Sequence, residues 1–478
     1  MKYTHLILIS LLLSLGSVVP ASSANWYVSK AASGANNGTT WTNAWQDFNN
    51  INFSSVACGD TIWVAGGTPY SGSMTLSKTC TSSAVLMIRR VLSTDSVPVA
   101  AAGWNSSFDS QVVNNNGTVT LAGSYITIDG RVGDAPTGVP YGIQWAYTGN
   151  SVTAFGNTST TISNITLSHI EAFGPSCAGT GSCTGNTWGL NLNQGQDNNT
   201  LVDHCWLHRF AEVIRPYQTT GLTIQYSSIG EDVYVTNADH EDISYCGPPC
   251  TNITLANSRF YSSGNDGFFF DYGGGTNVVV YNNIFFHSGG NEFTTCKQSP
   301  CGPYYLYNNI FESDGTGSDG SGNEYSWAWI GGGTTLASGS QVVNNIFYNT
   351  SPDSGGMTSS ESYNAATLAN GNSPPSCTGC FQYSLASPVR NFAGWVDMYP
   401  SGATSTTIVK ADFHLTATGA TLFQGKGQNL TSLCTTIPGL CKDVDGNARP
   451  TSGGWTVGPY EYVSGTPTQP SALTATPH

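Results

Sequence analysis

Acidic side chains are concentrated in one part of this sequence, between residues 212 and 297, although charged residues make up only 9% of the chain. Four successive segments in this region each carry an acid near the start of the next strand, namely Glu212, Asp242 (or Asp232), Asp266 and Glu292. Neighbouring carboxylates repel one another unless they are protonated, paired or bridged by a cation. If these segments lie side by side, the acids form a candidate site for acid–base chemistry or cation binding.

Three functions fit such a group of acids. A bound Ca²⁺, which prefers several oxygen ligands, would acidify the C–H beside a uronate carboxylate, so that a basic side chain could remove the proton in a β-elimination. Two carboxylates could instead hydrolyse a glycosidic bond as general acid and base. The candidates for this hydrolytic pair are Asp239, Asp242 and Asp266, with His240 or Arg215 adjusting their pKa values. The third possibility is a non-catalytic wall in a glycan-binding or structural protein.

A recurring strand pattern is expected to position these acids. The same short phrase returns between residues 165 and 347, and its copies share one column formed by His169, His204, Tyr226, Asn257, Asn282, Asn308 and Asn344. Alternation of apolar and polar residues, as around Ile253 and Leu255, is typical of a strand that buries one face. Similar strands returning every two to three dozen residues predict the coils of a β-solenoid. Since adjacent coils lie about 4.8 Å apart, equivalent acids would stack in a column.

The shared column has a structural interpretation of its own. Identical side chains stacked on successive coils can hydrogen-bond as a ladder and satisfy backbone groups of the turn. We therefore interpret His169 and His204 as structural members of the column. His208 and Arg209, a few residues further on, are interpreted as part of a solvated turn.

The recurring strands resemble those of right-handed parallel β-helix proteins, an architecture of secreted polysaccharide lyases and glycosidases. Residues 26–68, which include GDTIWV, resemble the opening of many bacterial members, and DVDGNARPTSGGWTVGPYEY (443–462) resembles their closing segment. The resemblance covers nearly the whole chain after its leader. It implies an all-β, right-handed parallel β-helix with an N-terminal cap and long Gly/Ser-rich side loops. It does not select one activity, because this architecture carries lyases, hydrolases, isomerases and adhesins.

A second resemblance concerns the acidic region. ADHED (238–242), NDGFFFD (265–271) and the lysine that follows are similar to the Asp-rich coils and the lysine base of calcium-dependent pectate lyases. This resemblance implies that Asp242, Asp266 and Asp271 bind Ca²⁺ and that Lys297 is the base. The expected reaction is then β-elimination on a uronate-containing polysaccharide, with glycoside hydrolysis as the alternative.

Several further residues are candidate substrate contacts. Arg215 could bind a uronate carboxylate through two parallel N–H groups. His240 and Glu292 lie in the same acidic region of the sequence. Trp327 and Trp329 fall in a Gly/Ser/Asp-rich interruption of the repeat, where they would either stack on sugar rings or anchor the loop.

Charge and targeting signals limit the partners. With 29 acidic and 15 basic residues the formal net charge is −14, which argues against nucleic acid or an anionic membrane as partner. The expected partner is an extracellular polysaccharide bound by a monomer. Residues 1–24 have the basic start, apolar centre and small-residue end of a secretory signal, with cleavage expected before Asn25. No later stretch is long and apolar enough to span a bilayer, so we expect a secreted protein.

The expected organisation follows the repeat. Residues 25–120 are predicted to form the N-terminal cap and first coils, and residues 121–380 the central helix with its groove. Residues 381–462 are predicted to add the last coils and the closing segment, and residues 463–478 a Pro/Thr/Ser linker tail.

The thirteen cysteines are typical of an oxidising compartment. Twelve of them are close neighbours in sequence and predict local disulfides, with metal binding as the alternative for two of the pairs: Cys58/Cys80, Cys177/Cys183, Cys246/Cys250, Cys296/Cys301, Cys377/Cys380 and Cys434/Cys441. Cys205 is left over. It lies one residue after the shared column, which predicts a buried free thiol.

Overall fold

A computed structural model describes most of the chain after the leader. The described residues are 23–132, 141–149, 151–157, 161–175, 187–192, 197–231, 242–247, 250–263, 266–270, 275–288, 292–295, 302–312, 327–328, 337–348, 351–352, 361–366, 377–383 and 413–462. Strands of three parallel sheets, named A, B and C here, account for most of their regular structure.

Sheet A is the longest of the three. In spatial order its strands are Asn25–Val28, Thr61–Val64, Leu86–Arg90, Ser124–Asp129, Ser163–Ser168, Asp197–Asp203, the pair Thr219–Thr220 and Thr223–Gln225, Cys250–Ala256, Gly275–Tyr281, Tyr304–Tyr307, Gln341–Val343 and Glu361–Ser362. Each strand pairs in parallel with the next strand of the sheet.

Sheets B and C are built in the same way. The strands of sheet B are Val112–Asn115, Ile143–Ala146, Ile170–Phe173, Trp206–His208, Ser228–Gly230, Arg259–Ser263, Ile284–Ser288, Ile310–Glu312, Ile346–Tyr348, Ala365–Ala366 and Phe381–Gln382. Those of sheet C are Met74–Leu76, Val119–Leu121, Val152–Asn157, Thr187–Asn191, Glu212–Arg215, Ser244–Cys246, Phe268–Phe270 and Phe293–Thr294. Two further strands, Trp327–Ala328 and Ser351–Pro352, pair with each other.

The chain visits the three sheets in turn, so each visit to A, B and C is one coil. The strand Asp197–Asp203 in sheet A is followed by Trp206–His208 in sheet B and Glu212–Arg215 in sheet C. Because strands with the same place in successive coils pair in parallel, the predicted parallel β-helix is confirmed. Apolar side chains from the inner faces of all three sheets form one continuous core along the axis.

The recurring column occupies the corner between sheets A and B. Its residues have left-handed backbone conformations, with φ between 48° at Tyr226 and 61° at Asn344. Asparagine adopts this conformation more readily than most residues, which explains its repeated use there. The rings of His169, His204 and Tyr226 stack at 4.9 and 5.0 Å, so the structural interpretation of the two histidines is confirmed.

The continuous hydrogen-bond ladder lies one residue later than predicted. In this second column each side chain from Ser227 onward accepts the backbone N–H of its counterpart in the preceding coil, at 2.9 to 3.1 Å. Cys205 begins the column as the N–H donor to Ser227, and the accepting members are Ser227, Ser258, Asn283, Asn309, Asn345 and Asn364. The first column turns the chain, whereas the second points inward and needs internal partners. Cys205 is buried and unpaired, as predicted.

Non-repeating segments lie at both described ends of the β-helix. At the start, Trp45 makes a parallel bridge with Val28 and covers the free edge of the first strand, with the 3-10 helix Phe48–Asn50 directly after it. The helix Ser96–Val99 and the 3-10 helix Ser106–Phe108 follow later in this region. Residues 413–462 contain the helix Ala417–Phe423 and the 3-10 helices Thr431–Leu433 and Pro438–Cys441.

Residues 413–462 lie against the outside of the β-helix and add no strand to sheets A, B or C. Phe413, Phe423 and Val457 pack on outward-facing residues of sheet B, including Ile284 and Ile310. A second group, with Leu430, Leu440 and Trp455, packs on outward-facing residues of sheet A. We call residues 413–462 the C-terminal strap.

Four of the predicted disulfides are formed: Cys58–Cys80, Cys246–Cys250, Cys377–Cys380 and Cys434–Cys441. The other two predicted pairs lie outside the described residues. Disulfides of this kind fit the expected secretion. Within the described ranges, no helix has the length and apolar character that a membrane span requires.

Candidate active site on sheet C

Three of the predicted acids occupy equivalent positions on successive coils. In sheet C, Ile214 pairs with Ser244 and Ser244 with Phe268, which places Glu212, Asp242 and Asp266 in one register two residues earlier. Glu292 does not belong to this register. It precedes Phe293, the partner of Phe268, by one residue only. The expected column therefore forms with three acids and not with four.

These acids are more buried than a groove wall requires, because they hold turn backbone. Asp242 is fully buried and its Oδ1 accepts the N–H of Asp266 at 3.0 Å. Glu292 is also buried, and its carboxylate accepts the backbone N–H and the hydroxyl of Ser288 at 3.1 and 2.8 Å. Asp242 and Glu292 thus have a structural role in the turns. Metal binding by Asp242 and Asp266 and substrate binding by Glu292 stay predictions.

The most distinctive feature of sheet C is the environment of Arg215. Its guanidinium carbon lies 5.4 Å from the ring centre of Trp188 on one neighbouring coil and 6.0 Å from that of Tyr245 on the other. Its Nε is 3.4 Å from Oε2 of Glu212, and the Arg215 side chain is 17% exposed. A cation held over aromatic faces and beside a carboxylate is fixed in direction without being fully neutralised. We call Trp188, Glu212, Arg215 and Tyr245 the arginine cradle.

The local sequence explains how the arginine cradle is built. A Cβ at Gly189 would lie 2.5 Å from the carbonyl oxygen of Val213 and 2.9 Å from the ring of Phe210, so only glycine permits this approach of neighbouring strands. Directly before the cradle strand, the N–H of Ala211 donates to Oγ1 of Thr187 at 2.8 Å, and both groups are buried. These contacts fix Trp188 beside the strand that carries Arg215.

Most of the other predicted site residues belong to segments outside the described part of the chain. Asp239, His240, Asp271, Lys297 and Trp329 lie outside the described residues. The backbone of Trp327 belongs to the strand Trp327–Ala328, while its side chain is outside the description. Their predicted roles as base, ligands and substrate contacts therefore stay predictions.

The described residues do not by themselves form a calcium site. Among them no group of three or more His, Cys, Asp or Glu side chains is arranged to hold a metal ion. Asp242 and Asp266 are adjacent, but Ca²⁺ takes about six to eight oxygen ligands. One Asp242 oxygen already accepts a backbone N–H.

A polar network on the outer face of sheet B was not predicted from the sequence. His208, interpreted above as part of a solvated turn, is only 3% exposed, so that interpretation is wrong. Its Nε2 lies 3.3 Å from Oε1 of Glu171 on the preceding coil, and its Nδ1 lies 3.5 Å from Oε2 of Glu231 on the next. The indole of Trp206 stacks on the imidazole at 4.1 Å. Because the partners are separated by long intervals in the sequence, no local motif reveals them.

The charges of this network stabilise one another. Burial acts to lower the pKa of His208, but the hydrogen bonds and charges of Glu171 and Glu231 outweigh it and raise that pKa above its ordinary value. Burial acts in the opposite direction on Glu231, where His208 and Arg209 hold the carboxyl pKa below its ordinary value. The network therefore favours the protonated form of His208, which lies between Glu171 and Glu231.

A third polar group lies on the outer face of sheet A beside the stacked rings. Arg89 donates to Asp129 at 2.8 Å, and Asp129 is 3.3 Å from Nδ1 of His169. Burial acts to raise the pKa of Asp129, but His169 and Arg89 outweigh it, and the pKa is lowered. Asp129 thus forms an ion pair with Arg89 at this face.

Comparison with known proteins finds similar solved structures but no matching family. No protein-family profile matches the chain, and no curated protein matches it in sequence. Among solved structures, the chain is similar to the pectate lyase Pel9A, with 13% identity, a TM-score of 0.49 and coverage of 92% of this chain and 97% of that one.

Two further solved structures are similar at lower scores. A rhamnogalacturonan lyase has 10% identity and a TM-score of 0.41, with 84% of this chain and 98% of that one covered. A polysaccharide lyase of family PL6 from Pseudopedobacter saltans has 10% identity and a TM-score of 0.40, with 78% and 96% covered. Identities this low say nothing about activity.

Proposed function

We propose that the protein is a secreted polysaccharide-degrading enzyme that cleaves a uronate-containing glycan by β-elimination at the outer face of sheet C. The observation that supports this proposal best is the arginine cradle. Arg215 is a permanent cation in a fixed direction, and a guanidinium is suited to a planar carboxylate. Its aromatic neighbours Trp188 and Tyr245 offer apolar surface of the kind that sugar rings pack against.

The cradle would act on the substrate by orientation. Arg215 binds the uronate carboxylate and withdraws negative charge from it, which favours loss of the proton on the adjacent carbon. Glu212 at 3.4 Å keeps the guanidinium in place. The proton then passes to a basic side chain, for which Lys297 stays the sequence-based candidate. The electron pair left on carbon forms the new double bond as the C–O bond to the glycosidic oxygen breaks, and the released oxygen takes up a proton from water.

Calcium belongs to the proposal as a sequence-based expectation. Asp242 and Asp266, together with Asp271, are the candidate ligands. When bound, the ion would neutralise substrate carboxylate charge next to the site. No step above depends on it.

The proposal is tested on a panel of uronate polymers, namely pectate, alginate, glucuronan and ulvan, with neutral glycans as controls. Ultraviolet absorbance of the unsaturated product and new reducing ends are followed together, with calcium and with a chelator. Wild type is compared with Arg215→Ala and with Arg89→Ala, which removes another arginine that lies over an aromatic ring and beside a carboxylate, on sheet A.

The expected result is a parallel rise of absorbance and reducing ends on one uronate polymer, lost in Arg215→Ala and kept in Arg89→Ala. Reducing ends without absorbance would replace the lyase by a glycoside hydrolase. Silence on every polymer, or full turnover by Arg215→Ala, would remove the proposed site. Loss of turnover in the chelator would support the calcium expectation.

A further inference from the structure

The outer face of sheet B carries a buried ionic network that no step of the proposed reaction uses. Its centre is His208, whose two ring nitrogens face Glu171 at 3.3 Å and Glu231 at 3.5 Å. Gln144 donates to the far oxygen of Glu171 at 2.7 Å. Four coils of the β-helix are therefore joined through one set of polar contacts, from the strand Ile143–Ala146 to the end of Ser228–Gly230.

Every charged group that faces His208 among the described residues is part of this network. Glu171 comes from the preceding coil and Glu231 from the next, and Nε of Arg209 pairs with Glu231 at 3.1 Å. Trp206 stacks on the imidazole and donates its indole N–H to the hydroxyl of Tyr261 at 2.6 Å. Burial, with a smaller contribution from the charge of Glu231, keeps the pKa of Tyr261 well above its ordinary value, so this phenol stays neutral. Among the described residues His208 is thus the basic side chain that lies close to both acids, while Arg209 pairs with Glu231 alone.

The chain leads from His208 directly into the arginine cradle. Three residues, Arg209 to Ala211, separate it from Glu212. The N–H of Arg209 donates to the carbonyl of Gly230 at 3.3 Å. The buried N–H of Ala211 donates to Thr187, the residue before Trp188. The turn that follows His208 therefore sets both the cradle strand and the aromatic ring beneath the guanidinium.

We propose that His208 is a positioning residue for the site on sheet C. As an imidazolium it joins Glu171 and Glu231, holds neighbouring coils together at the end of sheet B, and thereby fixes the turn that delivers Glu212 and Arg215. Loss of its proton leaves two buried carboxylates without their shared cation, and the turn loosens. The cradle is therefore fixed at a pH where His208 is protonated and loosened at a pH where it is neutral.

The sign of this dependence follows from the direction of the pKa shift. A histidine whose pKa is raised on folding contributes stability that is complete below the ordinary pKa of about 6.5. That contribution is lost as the pH rises through the higher pKa of the folded state. Burial opposes this shift, and the two carboxylates, which outweigh it, are the reason for its direction.

The test is amide hydrogen exchange of residues 187–192 and 209–215, measured from about pH 5.5 to about pH 8.5 and corrected for intrinsic exchange. In the wild type we expect opening of both segments to increase about tenfold across this range. In His208→Gln both segments should be open already at the acidic end, with no further pH step. His204→Gln is the matched control, because His204 also lies 3.0 Å from a carboxylate, Asp203, but at the corner between sheets A and B.

A second variant makes the test independent of how well His208→Gln folds. Glu231→Gln removes one of the two charges and should lower the pKa of His208, which the imidazole resonance reports by NMR. The exchange step should then move to lower pH by the same amount. The proposal is overturned if His208 titrates at or below the ordinary histidine value. It is also overturned if both segments exchange alike in wild type and His208→Gln.

The link to catalysis rests on the proposed function, and the two can fail separately. On a polymer that the wild type cleaves, Glu231→Gln should move the basic limb of the kcat/KM profile to lower pH, and His204→Gln should not. If the exchange step follows His208 but the kcat/KM profile does not, the positioning role is wrong. If the wild type cleaves no polymer, the proposed function fails, and exchange alone then decides whether His208 fixes the turn.

Discussion

Arg215 is held by two aromatic rings from neighbouring coils, and this makes its replacement by lysine informative. Lysine keeps the charge but loses the planar fork and the stacking surface that lie between Trp188 and Tyr245. We expect Arg215→Lys to weaken binding of an oligouronate about tenfold or more, with little change in the free energy of unfolding. Calorimetric titration measures the binding. Arg89→Lys, which alters a stacked arginine on sheet A, should bind as the wild type does, and equal weakening in both variants would contradict a specific role of the cradle.

Asp197 shows how a single buried carboxyl can make stability depend on pH. It is fully buried, and burial raises its pKa to about 7 against the hydrogen bonds from Asn157 and from the Ile162 backbone. The folded state therefore keeps a proton that the unfolded state has lost, and stability falls as the pH rises from about 4 to about 7. Relative to Asp197→Asn, the wild type should become progressively less stable over this range.

Asp129 supplies the opposite case for the same measurement. Its pKa is lowered on folding, because His169 and Arg89 outweigh the effect of burial. Its contribution to stability is present above the ordinary pKa of about 3.9 and is lost as the pH falls through the folded value. Urea unfolding as a function of pH measures the difference in unfolding free energy between wild type and each variant. As the pH rises, this difference should fall for Asp197→Asn and rise for Asp129→Asn, each through its own titration range. Parallel slopes would show that neither carboxyl controls the pH dependence.

At the scale of the strand and its turn, the two neighbouring asparagine columns have different structural roles. Asn308 sits in the left-handed region at φ 54°. Asn309 accepts the N–H of Asn283 at 2.9 Å and donates to the carbonyl of Val280 at 2.9 Å, with no exposure to water. In this turn, Asn308 therefore supplies the left-handed backbone conformation, and the next residue, Asn309, supplies the side-chain hydrogen bonds.

This separation gives a paired prediction for the turn. Asn309→Ala leaves a buried N–H and a buried carbonyl without partners, and we expect it to cost about 2 to 4 kcal/mol of unfolding free energy. Asn308→Gly keeps the required backbone conformation and should change stability by less than about 1 kcal/mol. Equilibrium unfolding in denaturant measures both variants. A larger loss of stability in Asn308→Gly than in Asn309→Ala would contradict the assignment of the ladder to the second column.

Elements with a repeating pattern were the ones that the sequence could predict. Alternating apolar residues and the recurring turn located the coils, because each copy faces the same packing problem as its neighbour. The ladder was displaced by one residue, since the pattern does not say which of two adjacent polar positions points inward. The network around His208 was missed for another reason. Its members come from different coils, and their proximity exists only after the coils stack.

The acidic register shows the same limit within the candidate site. Glu212, Asp242 and Asp266 do share one register, since each lies two residues before one of the paired positions Ile214, Ser244 and Phe268. Glu292 was one residue out, and the sequence did not reveal that Asp242 would be used to hold the N–H of Asp266. Equivalent position on successive coils is a property of the repeat, whereas exposure depends on what the turns and loops bring over it.

At the scale of the whole molecule, the C-terminal strap is the feature that the repeat could not predict. Its buried Arg449 donates to Oδ1 of Asn282 at 2.9 Å and to Glu461 at 2.8 Å, with Trp455 5.3 Å from its guanidinium. Asn282 also donates to the carbonyl of Lys442 at 2.8 Å. The strap therefore uses the turn column of the β-helix as its docking line, and it covers apolar side chains on the outer faces of two sheets.

Removal of the C-terminal strap should expose an apolar surface that is prone to association. A chain that ends at residue 412 exposes Ile284, Phe286, Ile310 and Ile346, which lie together on sheet B. Apolar patches of this kind promote association, so we expect loss of monomer and a fall in the unfolding temperature. Light scattering coupled to gel filtration and thermal unfolding measure the two effects. A chain that ends at residue 462 lacks only the predicted linker and is the control. If the shorter chain stays monomeric and equally stable, the strap is a passive covering and contributes no stability to the β-helix.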